Sequence, residues 1–212
     1  MISLQEYQKN PCGTLSLPYW KAKNISLPKD MVIVHDTAFC EDEWSEYIDE
    51  KYFRLYHHMK EVQSVSLSCY EIVTATDRDI EDIVELINRS YTDIQVSRDQ
   101  MTGYRNTSAC MPALWILVKE KTMKKLVGCG IADYDREARE VILKWIQVLP
   151  EYRRQGIGQA IVMELLHRAK DQAVFATVSG RVDNETRPEL LYRKCGFEGN
   201  DIWHILRRKN RG

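Results

Sequence analysis

The sequence predicts an α/β domain with a mixed sheet, in which an antiparallel front precedes a parallel crossover pair. Three apolar segments joined by short turns, at 113–120, 126–134 and 140–149, are typical of an antiparallel meander. The segment 161–173 has the apolar period of a helix and is followed by an apolar segment at 174–182, which predicts a crossover to a parallel strand. An irregular N-terminal extension precedes this regular pattern.

The extension covers residues 1–68 and contains prolines at 11, 18 and 28. It holds one predicted strand, at 31–36, and an acidic segment at 41–62 that is rich in aromatic residues. These aromatics are too numerous to remain exposed, so we expect the extension to dock on the main domain. A small polar stretch at 62–69 marks the boundary, and residues 69–212 form the predicted main domain.

The main domain opens with a predicted strand at 70–75, followed by a helix that Asp77 or Asp79 would cap. Its apolar positions, Ile80, Ile83, Val84 and Ile87, follow the helical period. A less regular helix or loop covers 97–108. Near the end, a short helix at 188–194 is bounded by Pro188 and Gly196, and a last strand covers 202–208.

The composition excludes several classes of protein. Thirty basic and thirty-one acidic residues give a net charge of −1, which offers no basic field for nucleic acid or an anionic membrane. There is no apolar stretch long enough to span a membrane and no secretory leader, so the expectation is a soluble, cytoplasmic protein.

The cysteines predict neither a metal site nor a disulfide framework. All six are scattered without metal-binding spacing, and we interpret them as reduced thiols that mostly fill the core. Cys195 is the one candidate for a reactive thiol, because it directly precedes Gly196.

The stretch YRRQGIGQA, at 152–160, joins a predicted strand to a helix. Gly156 and Gly158 leave the first N–H groups of that helix open to an anion, and Arg153 and Arg154 add positive charge. A tight connection between the strand and the helix, with solvated arginines, would explain the same residues. The phosphate-binding loop of ATP-binding proteins and the dinucleotide fingerprint are both absent.

Two motifs together resemble the GCN5-related N-acetyltransferase (GNAT) superfamily. Its first element is an apolar strand followed by (Arg/Gln)-x-x-Gly-x-(Gly/Ala), which Arg153, Gly156 and Gly158 match. Its second element is Leu-Tyr-x-Lys-x-Gly-Phe, which the stretch 191–197 matches. The resemblance covers residues 70 to the C-terminus and does not extend to residues 1–68.

The resemblance implies a site for acetyl-CoA, the acetyl donor. Backbone N–H groups of the turn would hold the diphosphate, and the pantetheine arm would pair with the strand that ends at Val148. Tyr192 would be the catalytic general acid that protonates the leaving thiolate. The implied cofactor-binding residues are Ile146, Gln147, Val148, Arg153, Arg154, Gln155, Gly156, Ile157, Gly158, Gln159 and Asn184.

Two positions depart from the family pattern. Some relatives carry a glutamate base six residues before the strand-end valine, where this chain has Ile142; Glu140, Asp133 and Asp135 remain alternatives. The asparagine that often contacts the cofactor would fall at Glu185, so Asn184 is one residue early.

The predicted function is transfer of an acetyl group to a small-molecule or peptide amine by direct attack, without a metal. Acidic and tyrosine residues around Tyr91, Tyr104, Asp133 and Asp135 suit a cationic amine. A non-catalytic acyl-CoA-binding or regulatory module is the alternative. Trp20 and Trp44 suit either a homodimer interface or the core, and we adopt the core interpretation.

Overall fold

The fold is described from a computed structural model that covers residues 2–17, 28–91 and 94–209. Trp20 lies outside these residues. The helices are α1 (Leu4–Lys9), α2 (Ile80–Ser90), α3 (Arg98–Arg105), α4 (Ile157–Ala169) and α5 (Pro188–Lys194). The strands are β1 (Met31–His35), β2 (Tyr47–His57), β3 (Tyr70–Thr74), β4 (Cys110–Glu120), β5 (Leu126–Asp135), β6 (Glu140–Val148), β7 (Phe175–Arg181) and β8 (Glu198–Arg208).

The chain divides into two compact units. The central unit is His58–Ala176, and the terminal unit combines Met1–His57 with Thr177–Gly212. The predicted extension and the end of the chain therefore belong to one unit.

The central unit contains the predicted antiparallel front. Its strands lie in the order β6-β5-β4-β3, and each neighbouring pair is antiparallel. Strand β7 begins in this unit, where Phe175 and Ala176 lie beside β6 as the predicted parallel partner after the α4 crossover. The predicted mixed α/β fold class is confirmed.

Helices cover both faces of this sheet. On one face, α2 and α3 pack on a core cluster that includes Ile83, Met101 and Trp115. Ile116 points to the other face, because neighbouring residues of a strand alternate, and there α4 packs on β4, β5 and β6. The α4 residues with buried side chains are Ile157, Ala160, Ile161, Val162, Met163, Leu165, Leu166 and Ala169.

The start of α2 is fixed by a hydrogen-bonded cap one turn earlier than the helix itself. The N–H and the hydroxyl of Thr76 donate to the Asp79 carboxylate at 2.8 and 2.7 Å. Burial acts to raise the pKa of Asp79, but these hydrogen bonds outweigh it and the pKa lies below its usual value. Asp79, one of the two predicted capping residues, thus participates as the acceptor for Thr76.

The terminal unit is built around the last strand. Its strand order is β1-β8-β2-β7, so β8 lies between two strands from the N-terminal portion and is antiparallel to both. Ile205 of β8 pairs with Ile33, and Ile202 pairs with Phe53. The aromatic segment predicted only to dock therefore contains an 11-residue strand, β2.

The cysteines lie at different depths in the protein. All six cysteines are free; Cys12, Cys129 and Cys195 are buried, whereas Cys40 and Cys69 are exposed. Among the described residues, the helices are all too short or too polar to cross a bilayer.

Candidate acyl-CoA site

The predicted turn is an exposed connection between β6 and α4. After Val148, a short 3-10 turn at Pro150–Tyr152 leads into Arg154, whose φ is 65°, and then into Gly156, whose φ is 80°. Gly156 is the N-cap of α4, and a Cβ added to it would meet no atom within 4 Å. The left-handed conformation favours glycine at this position, and the space beside its Cα is open.

The N-terminus of α4 can receive an anion. The first intrahelical bond runs from Ala160 N to Gly156 O, at 3.0 Å. The N–H groups of Ile157, Gly158 and Gln159 come before it and have no acceptor within the helix. Together with the helix dipole, these groups favour a negative charge in front of Gly156.

Two glycines of β5 set the position of α4. A Cβ on Gly130 would lie 2.4 Å from Ile161 Cγ2 and 3.1 Å from Leu165 Cδ1. A Cβ on Gly128 would lie 3.2 Å from Ile161 Cδ1. Helix α4 therefore lies closer to β5 than it could if Gly128 and Gly130 were replaced by residues with a Cβ. This close approach determines the position of the α4 N-terminus.

Arg153 contacts backbone carbonyls. Its Nε donates to Val148 O at 3.2 Å and its Nη2 donates to Ser90 O at 2.9 Å. Its guanidinium thereby links the end of β6 and the end of α2 to the turn. The sequence predicts that both arginines add positive charge to the turn. Arg154 is exposed and presents its charge to solvent.

Two tyrosines support the turn and β6; the sequence placed Tyr91 only among candidates for the amine acceptor, and Tyr70 was not singled out. Tyr70 OH donates to Gln155 Oε1 at 2.6 Å, which connects β3 to the turn. Gln147 is buried, and its Nε2 donates to Tyr91 OH at 2.7 Å. Both tyrosines are far from their partners in sequence, so no local pattern predicts these contacts.

The backbone of β6 presents Ile146 and Val148 opposite the two glycines of β5. Ile146 pairs with Gly130, and Val148 pairs with Gly128. The predicted pantetheine-binding stretch, 146–148, and the turn residues 153–159 are thus brought together in the central unit.

The three carboxylates considered as bases differ in their surroundings. Asp133 is mostly buried and lies 2.6 Å from Lys144 Nζ. Asp135 accepts from the N–H groups of Glu137 and Ala138 at 2.9 and 3.0 Å, so it organises a turn. Glu140 is fully buried.

Tyr192 and Asn184 lie in the terminal unit. Tyr192 is 7 % exposed, and its ring packs near Phe53 and Phe197 with centroid distances of 6.2 and 5.8 Å. The Oδ1 of Asn184 accepts from the N–H and the hydroxyl of Thr186 at 2.9 and 2.7 Å, which makes it part of a local turn.

Part of the chain matches a known family model. The family model described as "Acetyltransferase (GNAT) domain" matches residues 112–199. Human N-acetyltransferase 8B is 26 % identical over 122 residues, which are 56 % of this chain and 54 % of that protein. The chain thus spans about half the length of this curated relative.

Solved structures share the fold. A GCN5-related N-acetyltransferase from Sphaerobacter thermophilus superposes with a TM-score of 0.69 at 14 % identity, covering 94 % of this chain and 70 % of that one. The ribosomal-protein-S18-alanine N-acetyltransferase from Escherichia coli gives a TM-score of 0.52 at 18 % identity, covering 68 % of this chain and 96 % of that one. The turn and helix α4 lie within residues 112–199, and the match of this stretch to the GNAT acetyltransferase domain confirms the predicted resemblance.

Proposed function

We propose that the protein is an acetyl-CoA-dependent N-acetyltransferase that acts on an amine. The observation that carries this proposal is the N-terminus of α4, where the conformation of Gly156 leaves an open approach to unpaired helix N–H groups. A diphosphate fits this arrangement, because it needs several N–H donors and no Cβ in the way. The match of residues 112–199 to the GNAT acetyltransferase domain supports acetyl-CoA as the molecule that carries this diphosphate.

The donor side of the site is assigned to the central unit. Backbone N–H groups from Arg154 to Gln159 would bind the diphosphate, with the exposed Arg154 adding charge. The pantetheine arm would lie beside β6 and pair with backbone groups of Ile146 and Val148. Arg153 connects the turn to the end of β6 and the end of α2 through its hydrogen bonds to Val148 O and Ser90 O.

The chemistry is direct transfer. The amine nitrogen attacks the thioester carbonyl, the N–C bond forms, the C–S bond breaks, and coenzyme A leaves as a thiol. Tyr192 is the proposed donor of the proton to the departing thiolate, by its match to the tyrosine of the second family motif. The acceptor is a small-molecule or peptide amine.

Calorimetric titration with acetyl-CoA tests the donor site. Gly156→Asn and Gly156→Asp have nearly the same shape, and both residues tolerate a left-handed conformation better than other non-glycine types. We expect the aspartate variant to lose binding by at least about tenfold more than the asparagine variant, since only aspartate places a negative charge at the diphosphate.

Gly103→Asp is the matched control. Gly103 lies on the exposed side of α3, and a Cβ there would also meet no atom within 4 Å. This variant should bind acetyl-CoA like the unmodified protein. Absence of acetyl-CoA binding by the unmodified protein would contradict the proposal. Equal binding by the Gly156→Asn and Gly156→Asp variants would also contradict it.

Tyr192→Phe tests the proton donor. The phenyl ring keeps the packing against Phe53 and Phe197, so the fold should be unchanged. With an amine that gives turnover in a screen of polyamines, aminoglycosides, amino acids and peptides, kcat should fall about 10²-fold while the KM for acetyl-CoA stays constant. An unchanged kcat would assign the proton to another group.

A further inference from the structure

Lys144 occupies an irregular position of β6. The β5–β6 register pairs Ile131 with Trp145 and Ala132 with Leu143, so Lys144 has no residue opposite it. This is a β-bulge, which re-aims a side chain and often accompanies a functional site. The family and activity assigned above give this lysine no role.

The Lys144 ammonium is held by a buried carboxylate and an aromatic ring. Its Nζ lies 2.6 Å from Asp133 Oδ2 and 4.9 Å from the centroid of the Tyr104 ring. The Asp133 side chain is only 10 % exposed, whereas the Lys144 side chain is 37 % exposed. A carboxylate with an adjacent aromatic face is an arrangement that binds a primary ammonium, and here the ammonium belongs to the chain itself.

Asp133 also lies beside the position of the missing family base. Its partner in the antiparallel register is Ile142, where some relatives carry a glutamate. Directly paired residues of an antiparallel sheet share a face, with Cβ atoms about 5 Å apart. A carboxylate is therefore present on the same face as the family's base, supplied by the neighbouring strand.

The position of Lys144 along β6 brings it toward the acetyl group of the proposed donor. This step rests on the proposed function. From the turn, the pantetheine arm would pass Val148 and then Ile146, and Lys144 lies two residues further along β6, where the bulge directs its side chain to Asp133 and Tyr104. Two residues of a strand span about 6.6 Å, which a lysine side chain can bridge.

We propose that Lys144 is a self-acetylation site. Asp133 accepts a proton from the Lys144 ammonium while Tyr104 holds the side chain, and the free amine attacks the thioester of acetyl-CoA. The Nζ–C bond forms as the C–S bond breaks. The leaving sulfur takes one proton and becomes coenzyme A thiol, and the proton on Asp133 passes to water. The product is an uncharged acetyl-lysine that no longer pairs with Asp133.

Tandem mass spectrometry after incubation of the full chain with acetyl-CoA tests the proposal. Lys125 is a matched internal control, because its Nζ also lies 4.9 Å from a tyrosine ring, that of Tyr152, and its side chain is 42 % exposed. Spontaneous acetylation would label both lysines. We expect Lys144 to be acetylated at least about tenfold faster than Lys125, at a first-order rate independent of protein concentration.

Two variants assign the reaction to the site. Asp133→Asn should slow Lys144 labelling about 10²-fold without changing acetyl-CoA binding, since general-base assistance is typically of this size. Gly156→Asp should abolish the preference for Lys144 over Lys125, because it removes the donor.

Calorimetry separates the two possible failures. If acetyl-CoA binds and Lys144 is labelled no faster than Lys125, self-acetylation is wrong and the proposed function stands. If acetyl-CoA does not bind, both are wrong. Equal labelling of Lys144 in the Asp133→Asn variant and in the unmodified protein would also overturn the assignment.

Discussion

At the scale of single residues, Arg153 has a different role from the one its charge suggests. The sequence treats Arg153 and Arg154 alike, as two cations beside an anion. In the structure, the Arg153 guanidinium donates to the carbonyls of Val148 and Ser90. Its geometry, with donors pointing in fixed directions, matters here more than its charge.

Arg153→Lys should therefore not preserve function. Lysine keeps the charge but cannot donate to both carbonyls in the same geometry, so we expect the free energy of unfolding to fall by about 1.5–3 kcal/mol and acetyl-CoA binding to weaken. Urea denaturation and calorimetry measure the two effects. Arg154→Lys is the matched control and should leave stability unchanged, because Arg154 is exposed. Equal effects of the two substitutions would show that Arg153 acts through charge alone.

The cysteines give a second prediction at this scale. Burial raises the pKa of Cys129 and of Cys195 to about 12, so their thiolate forms are scarce near neutral pH. Because the thiolate is the nucleophile, iodoacetamide should label the exposed Cys40 and Cys69 first in the folded protein. Peptide mapping over time measures the order. Early labelling of Cys195 would instead revive its interpretation as a reactive thiol.

At the scale of elements, the close contact between α4 and β5 determines where the turn lies. Gly130 lies under Ile161 and Leu165, and this spacing admits no Cβ. Helix α4 begins at Ile157, four residues before Ile161. The contact at Gly130 therefore fixes where the N-terminus of the helix lies. The sheet thus positions the N-terminus of α4, where we propose that the diphosphate binds.

Gly130→Ala tests this link. The new methyl group would meet Ile161 Cγ2, which sits near its backbone and cannot swing away, so α4 must shift. We expect a loss of about 1–3 kcal/mol in the free energy of unfolding, together with weaker acetyl-CoA binding. Gly103→Ala is the control: its Cβ meets open space in a helix, so it should stabilise the protein by about 0.5–1 kcal/mol. A Gly130→Ala variant that keeps normal stability and binding would separate the turn from the packing of α4.

Most elements could be predicted from their apolar periods, and the exceptions have physical causes. Strands β4 and β5 were recognised as continuous apolar runs, because residues 114–118 and 127–134 are buried between helices on both faces, and helix α4 was recognised by its helical period. Strand β2 was missed, although Phe53, Leu55 and His57 are buried at every second position. The charged and aromatic residues between them hid that period.

The site was predictable in its backbone and less so in its side chains. Two glycines and a helix period locate the turn, because glycine conformation and helix polarity are local properties. The contacts of Arg153 with Ser90, of Gln155 with Tyr70 and of Lys144 with Asp133 join residues distant in sequence or strands in a particular register. The bulge that defines Lys144 depends on the pairing of two strands, and no single stretch encodes it.

At the scale of the whole molecule, the ends of the chain fold together. Strand β8 lies between β1 and β2, so the C-terminal strand depends on the N-terminal portion for both of its neighbours. Phe53 anchors this arrangement: it is 1 % exposed, and its ring lies against Gly180, where a Cβ would be 2.6 Å from Phe53 Cζ. The predicted boundary at residues 62–69 therefore separates segments in sequence, while the compact units separate at His57 and Ala176.

This division predicts where hydrogen exchange should respond to a core mutation. Phe53→Ala removes a buried ring and should cost about 3–5 kcal/mol in the terminal unit. We expect faster amide exchange in β1, β2 and β8, with protection retained in β4 and β5, because compact units can open separately. Ile83→Ala, in the core of the central unit, should give the reverse pattern.

If either substitution accelerates exchange equally in both units, the chain unfolds as one cooperative structure. If the loss is confined to the terminal unit, we expect acetyl-CoA binding to the proposed site at the turn to survive Phe53→Ala, and turnover, for which Tyr192 is the proposed proton donor, to be lost.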